Sequence, residues 1–404
     1  MFDPIKASKE IKDSYIDYIT TTFDMADTDY EREFRKELQT DGMVASGPFL
    51  DIGGSYETGH TLRELIQAQK ASVLFESLEP VAEKERELKL DRPLYQHQET
   101  AMLKAGKGEN LVITTGTGSG KTESFLLPII NHLLREQEAG TLSAGVRAII
   151  IYPMNALAND QMKRMRALFK NYPQICYGVY NGNTEHTQSK ALAEYHRTYH
   201  DETGEPTDPA PNEIISREVM QERPPHILIT NYSMLEYMML RPKDDAVFSG
   251  AKLKFIVLDE AHIYKGATGM ETSLLMRRLR ARISEPDSVQ YILTSATLGG
   301  PDADGDILSF AEKLCGVAFQ RSGIIRSTEK RPAMEDFLDF APALFEELQR
   351  SPDISSVLDR YHADFAPGGS EDEKLYALFL HSRLFALLRK VAHQPITVAQ
   401  LCQA

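Results

Sequence analysis

Between residues 91 and 325, short apolar runs alternate with longer stretches of helical period. "NLVIT" (110–114), "AIIIY" (148–152), "HILIT" (226–230), "FIVLD" (255–259) and "YILTS" (291–295) are each bounded by polar or turn residues. Runs that are apolar almost throughout, with no polar alternation, fit strands buried on both faces. The pattern therefore predicts a parallel sheet covered by helices, an α/β domain. The polar stretch 181–224 reads as a looser excursion from that sheet.

Residues 1–90 have a different texture. Ile11, Tyr15, Tyr18 and Ile19 fall at i, i+4, i+7 and i+8, one face of a helix. Thr61 with Glu64 three residues on forms a capping box ahead of Leu65 and Ile66. "SGPFLDIGGSYETGH" between them reads as loop. A helical accessory region is expected here. After residue 326, "KLYALFLHSRLFALLRKVAHQP" returns to helical period, with Leu380, Leu384, Leu387 and Leu388 on one side. "PITVAQLCQA" opens another helix and stops mid-pattern, which points to a piece of something longer. The expected divisions are thus 1–90, 91–325 and 326–404.

Bulk properties narrow the picture only a little. With 42% hydrophobic and 26% charged residues, the chain has the composition of a soluble globular protein. No run approaches the roughly 18 apolar residues of a membrane span, and "MFDPIKASKEIKDSY" lacks a signal peptide's apolar core. Cys176, Cys315 and Cys402 lie far apart with no CxxC pair, which fits small buried hydrophobes in a reducing cytoplasm. A net charge of −14 gives no support to diffuse binding of nucleic acid, so any such claim rests on local motifs.

The first chemistry appears at "TTGTGSGKTES" (114–124). A strand, a glycine-rich turn and an amphipathic helix are the context of a phosphate-binding loop. Gly116, Gly118 and Gly120 let backbone N–H groups face phosphates without a Cβ in the way. Thr115, Thr117 and Ser119 complete the turn, Lys121 would neutralise the β and γ phosphates of ATP, and Thr122 would hold Mg²⁺. The strict pattern asks for Gly or Ala where Thr115 stands, before the turn, where a small side chain suffices. "FIVLDEAHIYKG" supplies the complement at the end of a second strand. Asp259 would reach Mg²⁺ through water, and Glu260 would orient and deprotonate the attacking water.

"TGTGSGKT" (115–122) and "DEAH" (259–262) resemble motifs I and II of superfamily 2 helicases. "PLYQHQETAM" (93–102) is similar to their adenine-reading motif, with Gln98 as base contact. "YPMNALANDQ" (152–161), "ITNYSMLEYMMLRP" (229–242) and "TSATLG" (294–299) resemble motif Ia, the later nucleic-acid motifs and motif III. The details, with "YNGNT" (180–184) and "DEAH-x-Y-x-G…LLMRRLRAR", look like the MrfA/YprA-type DNA helicases. The resemblance implies a RecA-like fold, 3′-to-5′ movement on single-stranded or partly duplex DNA, and a role in DNA repair or phage defence. It also implies that His262 couples the ATP state to motif III through Ser295 and Thr297. Motifs IV to VI, their arginine finger and the family's cysteine cluster are not among these 404 residues. A second RecA-like domain is therefore an expected partner for hydrolysis, and residues 326–404 fit a helical, winged-helix-like module.

For DNA, Lys163 and Arg164 follow motif Ia on an expected helix, with Arg166 and Lys170 further along it. Asn155 and Asn231 are backbone-contact candidates by motif position. Arg277, Arg278, Arg280 and Arg282 read better as a solvated helix face. Two other readings stay open. One is an RNA helicase, since these motifs mainly touch sugar and phosphate. The other is an ATP-gated scaffold in a defence or repair complex, with no strand separation.

Overall fold

Strands buried at every residue leave no backbone polar group for water, so their N–H and C=O groups must pair with one another. A computed structural model shows that pairing; it describes residues 3–23, 25–40, 42–50, 56–78, 88–116, 118–200, 204–296, 301–330, 337–391 and 396–401. Thr117, Thr297 and Cys402 lie outside the described residues. The strands are β1 (Phe49–Leu50), β2 (Thr58–Thr61), β3 (Pro93–Tyr95), β4 (Leu111–Thr114), β5 (Ala148–Ile151) and β6 (Tyr177–Tyr180). There follow β7 (Glu213–Ile214), β8 (Ile227–Thr230), β9 (Phe255–Leu258), β10 (Gln290–Ser295), β11 (Ile324–Arg326) and β12 (Ile396–Thr397).

Eight strands form one sheet in the order β11-β4-β10-β9-β5-β8-β6-β7, and every pairing in it is parallel. Successive residues alternate between two cores. Ile113, Ile150 and Val257 pack on one side with Phe125, Ile129 and Leu133 of the helix Lys121–Glu138. Val112, Ile149 and Ile256 pack on the other with Leu275 and Leu279 of the helix Gly266–Arg282. β6, β7 and β11 were not foreseen as strands. β6 carries Gly178, where an added Cβ would lie 2.7 Å from the carbonyl of Ile214, so this tight pairing excludes an apolar side chain.

The chain divides into Tyr56–Glu329 and a unit made of Met1–Ser55 with Lys330–Ala404. Residues 56–90 thus group with the sheet rather than with the N-terminal helices. Glu57 N donates to Thr328 O (2.8 Å), β2 pairs with β3, and Leu62, Leu65 and Phe75 join the core that holds Ile113. The capping box is present, with Thr61 as N-cap of the helix Leu62–Gln67.

In the other unit, β1 pairs antiparallel with β12, and Leu344, Val357, Leu358 and Leu378 form a small core. The helix Pro4–Thr22 forms, capped by Asp3, but its anticipated buried face is turned out. Ile11, Tyr15 and Tyr18 are exposed, and Ile16 and Thr20 are the buried positions. The C-terminal helix is likewise two helices, Glu371–His381 and Arg383–Val391. Leu338 causes the break: its N–H takes the carbonyl of His381, and its own carbonyl takes the N–H of Arg383. Leu384 and Leu387 are exposed. No described helix is long and apolar enough to cross a membrane.

Candidate nucleotide site and nucleic-acid edge

Open parallel sheets bind ligands beyond the carboxyl ends of their strands, where helices begin and N–H groups lack partners. β4 delivers its chain to that edge, and Thr115 leads into the loop. Thr115 N donates to Ser295 O (3.2 Å), which ties the phosphate loop to the end of β10. Its hydroxyl accepts from Ser119 Oγ at 2.7 Å, and both residues are buried. The departure from the strict motif thus puts a side-chain brace across the loop, one that Gly or Ala could not make.

Gly118 (φ 74°) and Gly120 (φ 72°) occupy left-handed backbone. At Gly120 an added Cβ would also lie 2.3 Å from Gln98 Nε2. Gln98 is buried, accepts from Tyr95 N (2.9 Å) and donates to Gly120 O (3.1 Å). It therefore holds the shape of the loop. His97 Nε2 donates to Ser119 O (2.8 Å), which fixes its tautomer. Burial pushes its pKa down. Tyr56 stands edge-on to Tyr95 and His97, with its hydroxyl 3.1 Å from where a Cβ of Gly116 would sit.

β9 brings Asp259 and Glu260 to the same edge. Lys121 Nζ donates to Glu260 Oε1 at 2.9 Å. Glu260 has left-handed backbone (φ 48°), uncommon for a residue with a side chain, and its N–H is held by Thr294 Oγ1 (3.2 Å). The Thr294 hydroxyl donates to Asp259 Oδ1. Burial pushes the Asp259 carboxyl up; Thr294 opposes it, the Glu260 charge adds to it and Lys121 opposes it. His262 Nδ1 lies 3.2 Å from Glu260 Oε2 and 3.1 Å from Ser295 Oγ, so motifs II and III touch through the anticipated pair.

The donor set suits Mg²⁺. One carboxylate from Asp259 and one hydroxyl from Thr122, completed by phosphates and water, are typical of this hard cation. No group of three or more His, Cys, Asp or Glu able to cage a metal exists among the described residues. Cys176 and Cys315 are unpaired, with burial raising both thiols.

The nucleic-acid candidates separate. Asn155 begins the helix Asn155–Phe169, and Asn231 caps the helix Tyr232–Leu240 through Met234 N (2.8 Å). Asn231 Nδ2 donates to Asn155 Oδ1 (2.8 Å), locking two neighbouring helix N-termini together at the ends of β5 and β8. Lys163 is exposed. Arg164 pairs with Glu123 of the phosphate-loop helix, and Arg166 is held bidentate by Glu213. Arg277, Arg278, Arg280 and Arg282 all have protein partners. Tyr56 and Thr294 went unnoticed in the sequence. Thr294 sits beside motif III and was within reach of motif reasoning, whereas Tyr56 lies in a loop with no chemical pattern.

Comparison with known proteins agrees with this geometry. The DEAD/DEAH box helicase family matches residues 95–304. Druantia protein DruE of Escherichia coli is 34% identical over 414 aligned positions, 80% of this chain and 22% of DruE. ATP-dependent helicase HRQ1 of Saccharomyces cerevisiae is 29% identical over 51% of this chain and 16% of its own. ATP-dependent helicase YprA of Bacillus subtilis is 30% identical over 54% of this chain and 24% of its own. This chain therefore spans less than a quarter of each of these relatives. The crystal structure of the DUF1998 helicase MrfA bound to DNA and AMPPNP is 23% identical over 69% of this chain and 31% of its own, with a TM-score of 0.47. A family match across more than half the chain, with the motif residues gathered on one edge of the sheet, makes this protein a member of the DEAD/DEAH box helicase family.

Proposed function

We propose that the chain is the ATP-binding half of a DNA translocase that hydrolyses ATP to move along a single strand. The observation that carries this is the contact between Lys121 and Glu260, 139 residues apart in sequence and 2.9 Å apart in space. In the structure the two neutralise each other. When ATP enters, its β and γ phosphates replace Glu260 as the partner of Lys121. Glu260 is then released to orient water and take its proton, while the water oxygen bonds to the γ phosphorus and ADP departs with the bridging oxygen. Thr122 and Asp259 would hold Mg²⁺, whose charge offsets that of the phosphates. His262 relays the state of Glu260 to Ser295, and Ser295 is in turn bonded to Thr115 of the loop. The charge-stabilising arginine would come from a second RecA-like domain, as the family resemblance implies.

DNA would lie across the paired N-termini at Asn155 and Asn231, whose N–H groups suit a phosphate backbone. We favour DNA over RNA on the resemblance to the YprA-type helicases. A role in DNA repair or phage defence is what the family resemblance implies, and the match to DruE runs through 80% of the chain, against about half for HRQ1 and YprA.

The test is ATP hydrolysis by this chain, alone and joined to the second RecA-like domain, with strands that differ only at the 2′-OH. DNA-stimulated turnover in the joined form supports the reading. Stimulation by RNA alone, or ATP-dependent capture of a protein with no response to either strand, would replace it.

A further inference from the structure

The amino ends of the strands form a second, separate edge. A cavity of about 460 Å³ opens there beside the first residues of β9 and β10, between the helices Gln96–Gly106 and Lys121–Glu138. Its polar wall includes Lys70, Lys107, Arg135, Lys254, Asn131 and Gln290, and no Asp or Glu lines it among the described residues. In a chain of net charge −14, four cations around one small cavity are a local reversal of sign.

Helix capping does not account for Lys107 and Arg135. Both stand at helix C-termini, but the carbonyls there are already satisfied by backbone. Lys107 N takes Lys104 O, Gly108 N takes Ala105 O, and Ala139 N takes Arg135 O, each at 3.0 Å. Nearby carboxylates are engaged elsewhere. Glu136 binds Arg147 Nε (2.8 Å) and lies 3.4 Å from His132, while Glu138 accepts from Ser72 Oγ (2.6 Å) and Val73 N (3.0 Å). Arg135 uses one N–H on Gln69 O (2.9 Å), and Lys254 donates to Ser288 O (3.1 Å).

Two buried amides complete the wall. Asn131 is 8% exposed; its oxygen accepts from Ser72 N (2.8 Å), which leaves its NH₂ group for the cavity. Gln290 is 3% exposed and turns its Nε2 donor toward Gly108 of the cavity wall, 4.0 Å from where a Cβ of Gly108 would sit. Cations clustered without acids repel one another unless an anion joins them, and an arginine fork with amide donors matches phosphate oxygens.

We propose that this cavity binds a small phosphate-bearing anion, independently of the nucleotide at Lys121. The ligand would be a free oligophosphate or the phosphates of a nucleotide. Titration calorimetry on the full chain, with inorganic pyrophosphate and separately with ATP, tests this in the Lys121→Ala background. One pyrophosphate or one ATP should bind per chain, weakened about tenfold by Arg135→Gln and less by Lys107→Gln. Arg135 also braces Gln69 O, so the Lys107 variant keeps the test valid if Arg135→Gln unfolds, as a thermal melt would show. Pyrophosphate binding identifies an oligophosphate site; binding of ATP alone identifies a nucleotide site. Absence of both in the Lys121→Ala chain, or binding that neither substitution weakens, overturns the proposal.

Discussion

The two edges of the parallel sheet treat charge in opposite ways. At the carboxyl edge, ionic groups from distant segments pair directly: Lys121 with Glu260, Arg164 with Glu123. These pairs are partly open to solvent and can be exchanged for a ligand. At the amino edge one cation is sealed. Arg147 is fully buried and bonded to Glu136, to Gly145 O (2.7 Å) and to Ser143 O (3.0 Å). Lys107 and Arg135, by contrast, line a cavity with no acid among the described residues. An ion pair that can open serves chemistry, whereas one closed on all sides serves the fold.

That contrast can be broken first at Glu260. Glu260→Gln should lower turnover of the DNA-stimulated form by about 10²- to 10⁴-fold. ATP affinity should be equal or higher, because Lys121 no longer has a charged competitor. Loss of ATP binding in an equilibrium titration would show that the pair builds the site rather than guarding it. Arg147→Met should act on stability instead, by about 3–5 kcal/mol in urea unfolding, because it leaves Glu136 with His132 alone. If it costs less than Lys107→Gln, the sealed and open cations are not different in kind.

pH sharpens the same comparison. Burial raises the Glu136 carboxyl, but His132 and Arg147 outweigh it and hold it below its usual range. Its contribution is therefore present above the ordinary carboxylate pKa and is lost as pH falls through the depressed value. Asp259 has the opposite sign: its pKa is raised, so keeping it ionised costs stability as pH climbs past the ordinary value. Asp259→Asn should consequently raise stability at neutral pH, while abolishing turnover. A lower melting temperature would contradict that sign.

Two smaller effects follow at the carboxyl edge. Asn231→Ala removes a helix cap worth about 1 kcal/mol and the brace to Asn155, so affinity for DNA should fall with stability. Retained affinity would move the strand elsewhere. Thr115→Gly restores the strict motif yet deletes the Ser119 bond; it should lose about 0.5–1.5 kcal/mol and improve nothing. Tighter ATP binding in that variant would count against the brace.

What could be read in the sequence follows from range. β4, β5, β8, β9 and β10 are buried on both faces, so each appears as an apolar run that nothing interrupts. Lys121 and Glu260 sit in motifs whose chemistry is local to a few residues. β6 needs Gly178 and β11 has only three residues, too short for a period to show. The helix Pro4–Thr22 was legible as a helix but not in its facing, since Ile11 and Tyr15 recur at the right spacing and are nonetheless exposed. Side-chain pairings across long separations, such as Arg164 with Glu123 or Tyr56 beside Gly116, leave no local pattern at all.

Gly120 carries a consequence for inheritance. Every amino-acid change reachable from a glycine codon by one nucleotide adds at least a Cβ, and here that atom would meet Gln98 at 2.3 Å. Shortening Gln98 could relieve the clash but not the left-handed backbone at position 120, which still disfavours a side chain. No second-site change therefore rescues the position cheaply. A genetic selection that starts from a Gly120 variant should return true revertants to glycine far more often than suppressors.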